Sequence, residues 1–241
     1  MSTPSLQELY DRKYAHETWQ PMVFHPDAIS TNRYDDVARL LRAETGTLLD
    51  VGCSGGQVIL ALANQFDRLA GFDLSAVRIA TANQALQRYP QYAPKIEFRT
   101  ASGDEPFPYA DATFDVVIAC AVVEHVLNVF TIMDEIARVC KPGGCVVLTV
   151  PNICYIRHVR DLLLGRLPMT GIQTRDLSVW RSDGWDGGHL HYFSKSALRA
   201  LLQQAGFTDE QWTGDGRFAK WRRWHINLVG NLTVRARRRN P

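Results

Sequence analysis

Asp50-Val51-Gly52-Cys53-Ser54-Gly55-Gly56 follows the apolar pair Leu48-Leu49 and leads into an apolar-periodic stretch from Gln57. A buried strand running into a glycine-rich turn and then a helix brings free backbone N–H groups close to a ligand. Small residues let the main chain approach, and the helix N-terminus leaves donors unpaired. Asp73 ends the next strand-like run, 21 residues after Gly52. A carboxylate there can accept hydrogen bonds from both hydroxyls of an adenosine ribose. The turn also matches G-x-S-x-G formally, which would make Ser54 the nucleophile of an α/β-hydrolase. That elbow normally follows a strand deep in the sheet, whereas this one follows the first. A nicotinamide dehydrogenase would use G-x-G-x-x-G, which the turn lacks. Asp50 is read as orienting the turn, and Cys53 as a small packed residue.

A second group lies further along. His189 and His191 flank Leu190 in a glycine-rich approach to a helix. In an extended segment two such side chains point to one side. No acidic or cysteine partner stands at ligand spacing, so no metal site is expected. A neutral imidazole can take an acceptor proton near neutral pH, which makes His191 the first candidate general base and His189 the second. Purely structural histidines are the alternative. Glu124 either caps the helix after the fourth strand or meets a ligand, and both readings stay open. His125 beside it has the same two readings.

These residues need a frame that places them together. Strand-like runs at Thr47–Val51, Arg68–Asp73, Lys95–Thr100, Phe114–Cys120 and Cys145–Val150 alternate with helical periodicity at Gln57–Phe66, Ser75–Arg88 and Val129–Cys140. The last helix is stopped by Lys141-Pro142-Gly143-Gly144. The pattern predicts an α/β fold: a Rossmann-like, doubly wound, mostly parallel seven-stranded sheet with helices on both faces. Residues 1–46 are expected to form a helical and aromatic cap, with a helix over Asp35–Glu44, and residues 47–241 the main domain. Residues 151–193 break the rhythm with several glycines, two prolines and a short helix near Arg157–Leu164. They form an insert expected above the carboxyl ends of the strands. Ser194 reads as an N-cap with Phe193 and Leu198 as a staple, and Gly206 ends that helix. Phe207–Thr213, Arg217–Leu228 and Leu232–Arg237 then read as strand, helix and strand.

Read together, these stretches resemble the class I S-adenosylmethionine (SAM)-dependent methyltransferases, in particular the groups called methyltransferase type 11 or 12. The resemblance covers roughly residues 47–150. DVGCSGG is similar to the family's D-x-G-C-G-x-G, with Ser54 in place of the middle glycine; GFDLS at 71–75 is similar to its acidic ribose motif. PYADATFDVVIACAVVEHV at 108–126, the turn Cys140-Lys141-Pro142-Gly143-Gly144, and HLHYFSKSALRALLQQAGF at 189–207 follow in the family's order. The resemblance implies SAM as cofactor and S-adenosylhomocysteine as product. It places Gly52, Ser54 and Gly56 along the methionine and ribose, with Asp50 counted in the cofactor set. It gives Asp73 the ribose and Leu74 the adenine, with Gly103 and Asp104 by the adenine amine. Cys120 and Ala121 would pass under the methionine with His125 near, and Tyr14 would close over the cofactor.

Composition narrows the partners. The chain has 241 residues, 46% of them hydrophobic and 22% charged, enough for one full α/β domain. Five cysteines, an odd number without C-x-x-C spacing, are expected to be reduced. The N-terminus has no apolar h-region and no run is long enough to span a bilayer, so a cytoplasmic protein, peripheral to the inner membrane face at most, is expected. The net charge of +2 hides an asymmetry: from Arg217 onward there are eight basic residues and no acidic one, so the preceding body is acidic by six. Phe218, Trp221, Trp224, His225 and Leu228 are spaced for one face of a helix. That segment either packs on the sheet or meets anionic lipid, a lipid-linked glycan or nucleic acid. Ala119-Cys120-Ala121-Val122 stands where base-methylating enzymes carry an Asn/Asp-Pro-Pro-Tyr run, which argues against DNA. The expectation is a SAM-dependent methyltransferase acting on a small-molecule, sugar or glycan acceptor, by O- or N-methylation. The alternatives are a catalytically inactive SAM-binding partner protein and the Ser54 hydrolase.

Overall fold

A computed structural model describes residues 5–15, 17–27, 32–172, 174–221 and 225–240. Strands β1 (Thr47–Val51), β2 (Arg68–Asp73), β3 (Ile96–Thr100), β4 (Phe114–Cys120) and β5 (Cys140–Pro151) run parallel. Strands β6 (Phe207–Asp215) and β7 (Asn231–Arg238) complete the sheet; β7 is antiparallel to both β5 and β6. The order is β3-β2-β1-β4-β5-β7-β6. The chain therefore reverses its winding between β1 and β4, and a crevice opens there beyond the strands' carboxyl ends.

Period-two alternation splits the strand residues between two cores. Leu49, Val51, Val117, Ala119 and Val146 face Ile132, Met133 and Ile136 of α5 (Val129–Val139) and Leu198 and Leu202 of α8 (Lys195–Gln204). Leu48, Val116, Ile118 and Val147 face Val37 and Leu41 of α2 (Arg33–Leu41) and Ile59 of α3 (Gln57–Leu62), with Ile79 of α4 (Ala76–Leu86) in the same core. Each Leu, Ile, Val or Met among them, removed from water, contributes roughly 1.5–3 kcal/mol. The doubly wound parallel arrangement expected from the alternation is the one formed.

Several local expectations change. Asn32 caps Tyr34 N and Asp35 N, so the helix expected over Asp35–Glu44 begins and ends earlier, as α2. It packs on β6 and β7 and belongs to the main body rather than to a cap. The cap proper is α1 (Leu6–Tyr14), whose Ser5 and Glu8 form a reciprocal capping box. The helix expected over Arg217–Leu228 is absent from the described residues. Two short 3-10 turns, Ala219–Trp221 and Ile226–Leu228, stand there instead, and 222–224, with Trp224, lie outside the described residues. The pairing of Asp215 with Asn231 forces the intervening chain to double back, which leaves no length for a straight helix. Phe218 and Trp221 stack at 5.6 Å. The insert carries α6 (Ile156–Leu163) and a second helix not expected from the pattern, α7 (Leu177–Asp183).

Candidate cofactor and acceptor site

The turn after β1 is held to β2 by its own backbone. Gly52 N and Cys53 N both donate to Phe72 O, at 2.8 and 2.9 Å. Gly52 has φ +71°, and a Cβ there would fall 2.4 Å from Val122, so only glycine fits. Ser54 adopts φ +49°, a left-handed conformation costing about 1–2 kcal/mol in a residue with a side chain. Its N–H donates to Asp73 Oδ2 at 2.9 Å, and Ser75 N donates to Asp73 Oδ1 at 2.9 Å. The Asp73 carboxylate is thus aimed with lone pairs to spare. Burial raises its pKa, while the two N–H donors pull it back.

A cavity of about 360 Å³ opens against this carboxylate, a size that suits one drug-sized ligand. Of the cofactor residues expected from sequence, Tyr14, Gly52, Ser54, Asp73, Leu74, Gly103, Asp104, Cys120 and Ala121 all line it, as does His125. Asp50 and Gly56 do not. Asp50 is buried behind the turn, its carboxyl pushed up to about 8 by burial and by Asp73. Gly56 lets the start of α3 pack on Phe98, which a Cβ would meet at 2.6 Å. Asp104 Oδ1 accepts Leu127 N at 2.7 Å, which ties its loop to the turn before α5. Cys120 is a neutral thiol, pushed up to about 12 by burial.

The N-terminal segment forms the roof. Asp11 of α1 accepts hydrogen bonds from Ser75 Oγ and Val77 N and so caps α4 across the cavity. Arg78, on the first turn of α4, stacks its guanidinium over the Tyr14 ring at 4.0 Å and pairs with Glu17. Trp19 Nε1 donates to Gly55 O at 2.8 Å. Arg78 lines the cavity and was not singled out from the sequence. Its position three residues beyond Ser75, on the turn facing the ligand, was the available signal. A wall of glycine and alanine, an aimed carboxylate and stacking rings fit adenosine and a methionine chain.

A second cavity of about 350 Å³ adjoins the first and shares Tyr14, Ala121 and His125 with it. Glu124, His189, Arg33, Thr170 and Gly171 help to line it. Asp186, buried in the insert, accepts Thr170 N, Thr170 Oγ1 (2.6 Å) and Gly171 N. Thr170 has one hydroxyl proton, and it is donated in the hydrogen bond to Asp186 Oδ2. The 2.7 Å contact between Thr170 Oγ1 and His189 Nδ1 is then donated by the imidazole, which leaves Nε2 unprotonated. His125 Nδ1 donates to Gly188 O at 3.1 Å, which leaves its Nε2 bare as well. Burial, with His125 next, holds His189 down at about 4, so the ring is neutral at pH 7.

Glu124 is fully buried, and among the described residues neither carboxylate oxygen has a hydrogen-bond partner. Burial pushes it up to about 7, with the Arg33 charge pulling the other way. It caps no helix through its side chain. One atom each from Glu124, His125 and His189 lie within 4.8 Å of one another, a set of acceptors that can meet a donor proton or a cation. The metal-free expectation rested on sequence spacing, which could not see that Glu124 and His189 meet. His191, the first candidate base, is not brought to either cavity: its Nε2 donates to Val126 O at 2.9 Å. The Ser54 hydroxyl has no imidazole partner among the described residues.

The chain matches a family described as a methyltransferase domain over residues 25–211. It is 26% identical to the mitochondrial ubiquinone biosynthesis O-methyltransferase of Bos taurus, over 78% of this chain and 49% of that protein. It is 28% identical to 27-O-demethylrifamycin SV methyltransferase of Amycolatopsis mediterranei (strain S699), over 58% of this chain and 51% of that one. The chain thus spans about half the length of these curated relatives. In fold it is similar to phosphoethanolamine N-methyltransferase 2 of Haemonchus contortus, solved in complex with SAM. That likeness has TM-score 0.65 and 15% identity, and covers 99% of this chain and 61% of that one. With the sheet order, the aimed Asp73 and the matched domain in agreement, this chain belongs to the class I SAM-dependent methyltransferase family.

Proposed function

We propose that the chain transfers a methyl group from SAM to a hydroxyl oxygen of a small-molecule acceptor, with His189 as general base. The observation that carries this is the junction of the two cavities at Tyr14, Ala121 and His125, with the bare Nε2 of His189 on the acceptor side. SAM supplies an electrophilic methyl on a sulfonium, a leaving group good enough that alignment and exclusion of water are the main tasks. Asp73 and the turn hold the donor, and α1 roofs it. The acceptor O–H gives its proton to His189 Nε2 as its oxygen bonds the methyl carbon and the carbon–sulfur bond breaks. S-adenosylhomocysteine, the methyl ether and a protonated His189 result. The Glu124 carboxylate and the Thr170–Asp186 chain stand beside that imidazolium and stabilise it. The curated relatives named above are O-methyltransferases, which supports oxygen as the acceptor atom.

Calorimetric titration with SAM, followed by turnover on a panel of hydroxylated acceptors, tests the reading. Asp73→Ala removes charge-assisted hydrogen bonds, each of roughly 1.5–3 kcal/mol, and SAM affinity falls at least tenfold. His189→Ala leaves SAM affinity within about twofold and lowers turnover roughly 10²–10⁴-fold. Unchanged turnover in His189→Ala sinks the base assignment. SAM binding without turnover on any acceptor leaves a binding protein instead of an enzyme.

A further inference from the structure

Helix α6 is amphipathic in the wrong sense for a soluble domain. Its polar residues Arg157, His158 and Asp161 line a cavity of about 250 Å³. Its apolar residues Ile156, Val159, Leu162 and Leu163 face outward; Leu162 is 54% and Leu163 83% exposed. Leu164 and Leu167 extend the exposed patch. At 100° per residue the four helical positions fall in one arc of about 120°, so they make a stripe rather than scattered exposure.

Charge selects what covers it. Residues 153–175 contain four arginines (Arg157, Arg160, Arg166, Arg175) and one acid, Asp161, inside a body that is otherwise acidic. Arg160 and Arg175 share Asp161 and still leave the segment cationic. A second copy meeting this face by two-fold symmetry would set arginines against the same arginines. A bilayer with anionic headgroups offers acyl chains to the leucines and phosphates to the guanidiniums, while the acidic remainder turns away. The polar cavity behind α6 shares Arg33, Thr170 and Gly171 with the acceptor cavity, so the two adjoin on the inner side of this helix.

We infer that α6 and the turn after it dock on an anionic membrane surface, from which an amphiphilic acceptor reaches the site. The acceptor part of this statement rests on the proposed methyl transfer; the docking does not.

Flotation of the full chain with phosphatidylcholine vesicles, with and without about one-third phosphatidylglycerol, tests it. Binding is expected to the anionic vesicles, weakening as salt rises, and at least tenfold weaker to phosphatidylcholine alone. Arg160→Gln and Arg166→Gln each weaken it by roughly fivefold. Leu162→Asp/Leu163→Asp reduces it at least tenfold, with SAM affinity and circular dichroism unchanged because both side chains are exposed. Absence of binding to anionic vesicles overturns the inference. So does binding that survives the leucine double variant, which would move the contact to the basic C-terminal segment. A dimer in sedimentation that Leu163→Asp dissociates, without vesicle binding, assigns the face to a second copy. None of these outcomes touches the turnover test of His189 on a water-soluble acceptor.

Discussion

At Glu124 stability and chemistry oppose each other. Its carboxyl is pushed up to about 7 by burial, from an ordinary 4.5. Between those values the native state holds a proton that the unfolded chain has released, so stability falls as pH rises through that window. The gap corresponds to about 3 kcal/mol once both are passed. Glu124→Gln carries no such penalty. We expect denaturant unfolding to show the variant equal to the parent near pH 4 and about 3 kcal/mol more stable at pH 8, while turnover drops. A difference that stays flat with pH would mean Glu124 is satisfied by a neighbour. Asp50, pushed up to about 8, adds a loss of the same sign that the variant leaves in place, so the comparison isolates Glu124.

Among the elements, α1 adds none of its described residues to either main core and is held instead by specific polar contacts. Its Asp11 reaches across to cap α4 at Ser75 and Val77, and its Tyr14 lies under Arg78. A capping interaction contributes about 1 kcal/mol, and here it joins the roof to the cofactor wall. Asp11→Ala is therefore expected to weaken SAM binding several-fold in calorimetry and to speed proteolytic cutting before residue 33. Global unfolding free energy should change little, because none of α1's described residues belongs to the two main cores. A large drop in global stability would show instead that α1 is part of the folding unit.

Over the whole molecule, the segment before β1 is bound to the last strand. Glu44 accepts Arg235 at 2.7 Å and Arg237 at 2.6 Å, across about 190 residues of sequence. Glu44 and Arg235 are both buried. Removing one partner strands a buried charge, at a cost of roughly 3–5 kcal/mol. Glu44→Ala should lower the unfolding free energy by about that much in denaturant titration. A change under about 1 kcal/mol would show that the arginines find water or another partner.

The fold and most residues lining the first cavity were legible in the chain because both depend on short-range sequence signals. Strand alternation, the glycine-rich turn after Leu49 and the acid ending β2 lie within short windows, and each short-range signal has one steric solution. The Ser5–Glu8 capping box was equally local, though it was not read from the sequence. What the sequence left open depended on distant partners. His189 and His191 have the same local pattern. Only the insert's return path puts one on the Thr170 hydroxyl and the other on the Val126 carbonyl. The tail periodicity from Phe218 to Leu228 suited a helix, yet the pairing of β6 with β7 turns that stretch into a loop. The α6 pattern shows apolar and polar faces but not which faces water. That is decided by where the polar cavity lies, because a helix's orientation about its axis is set by tertiary packing and not by its own sequence.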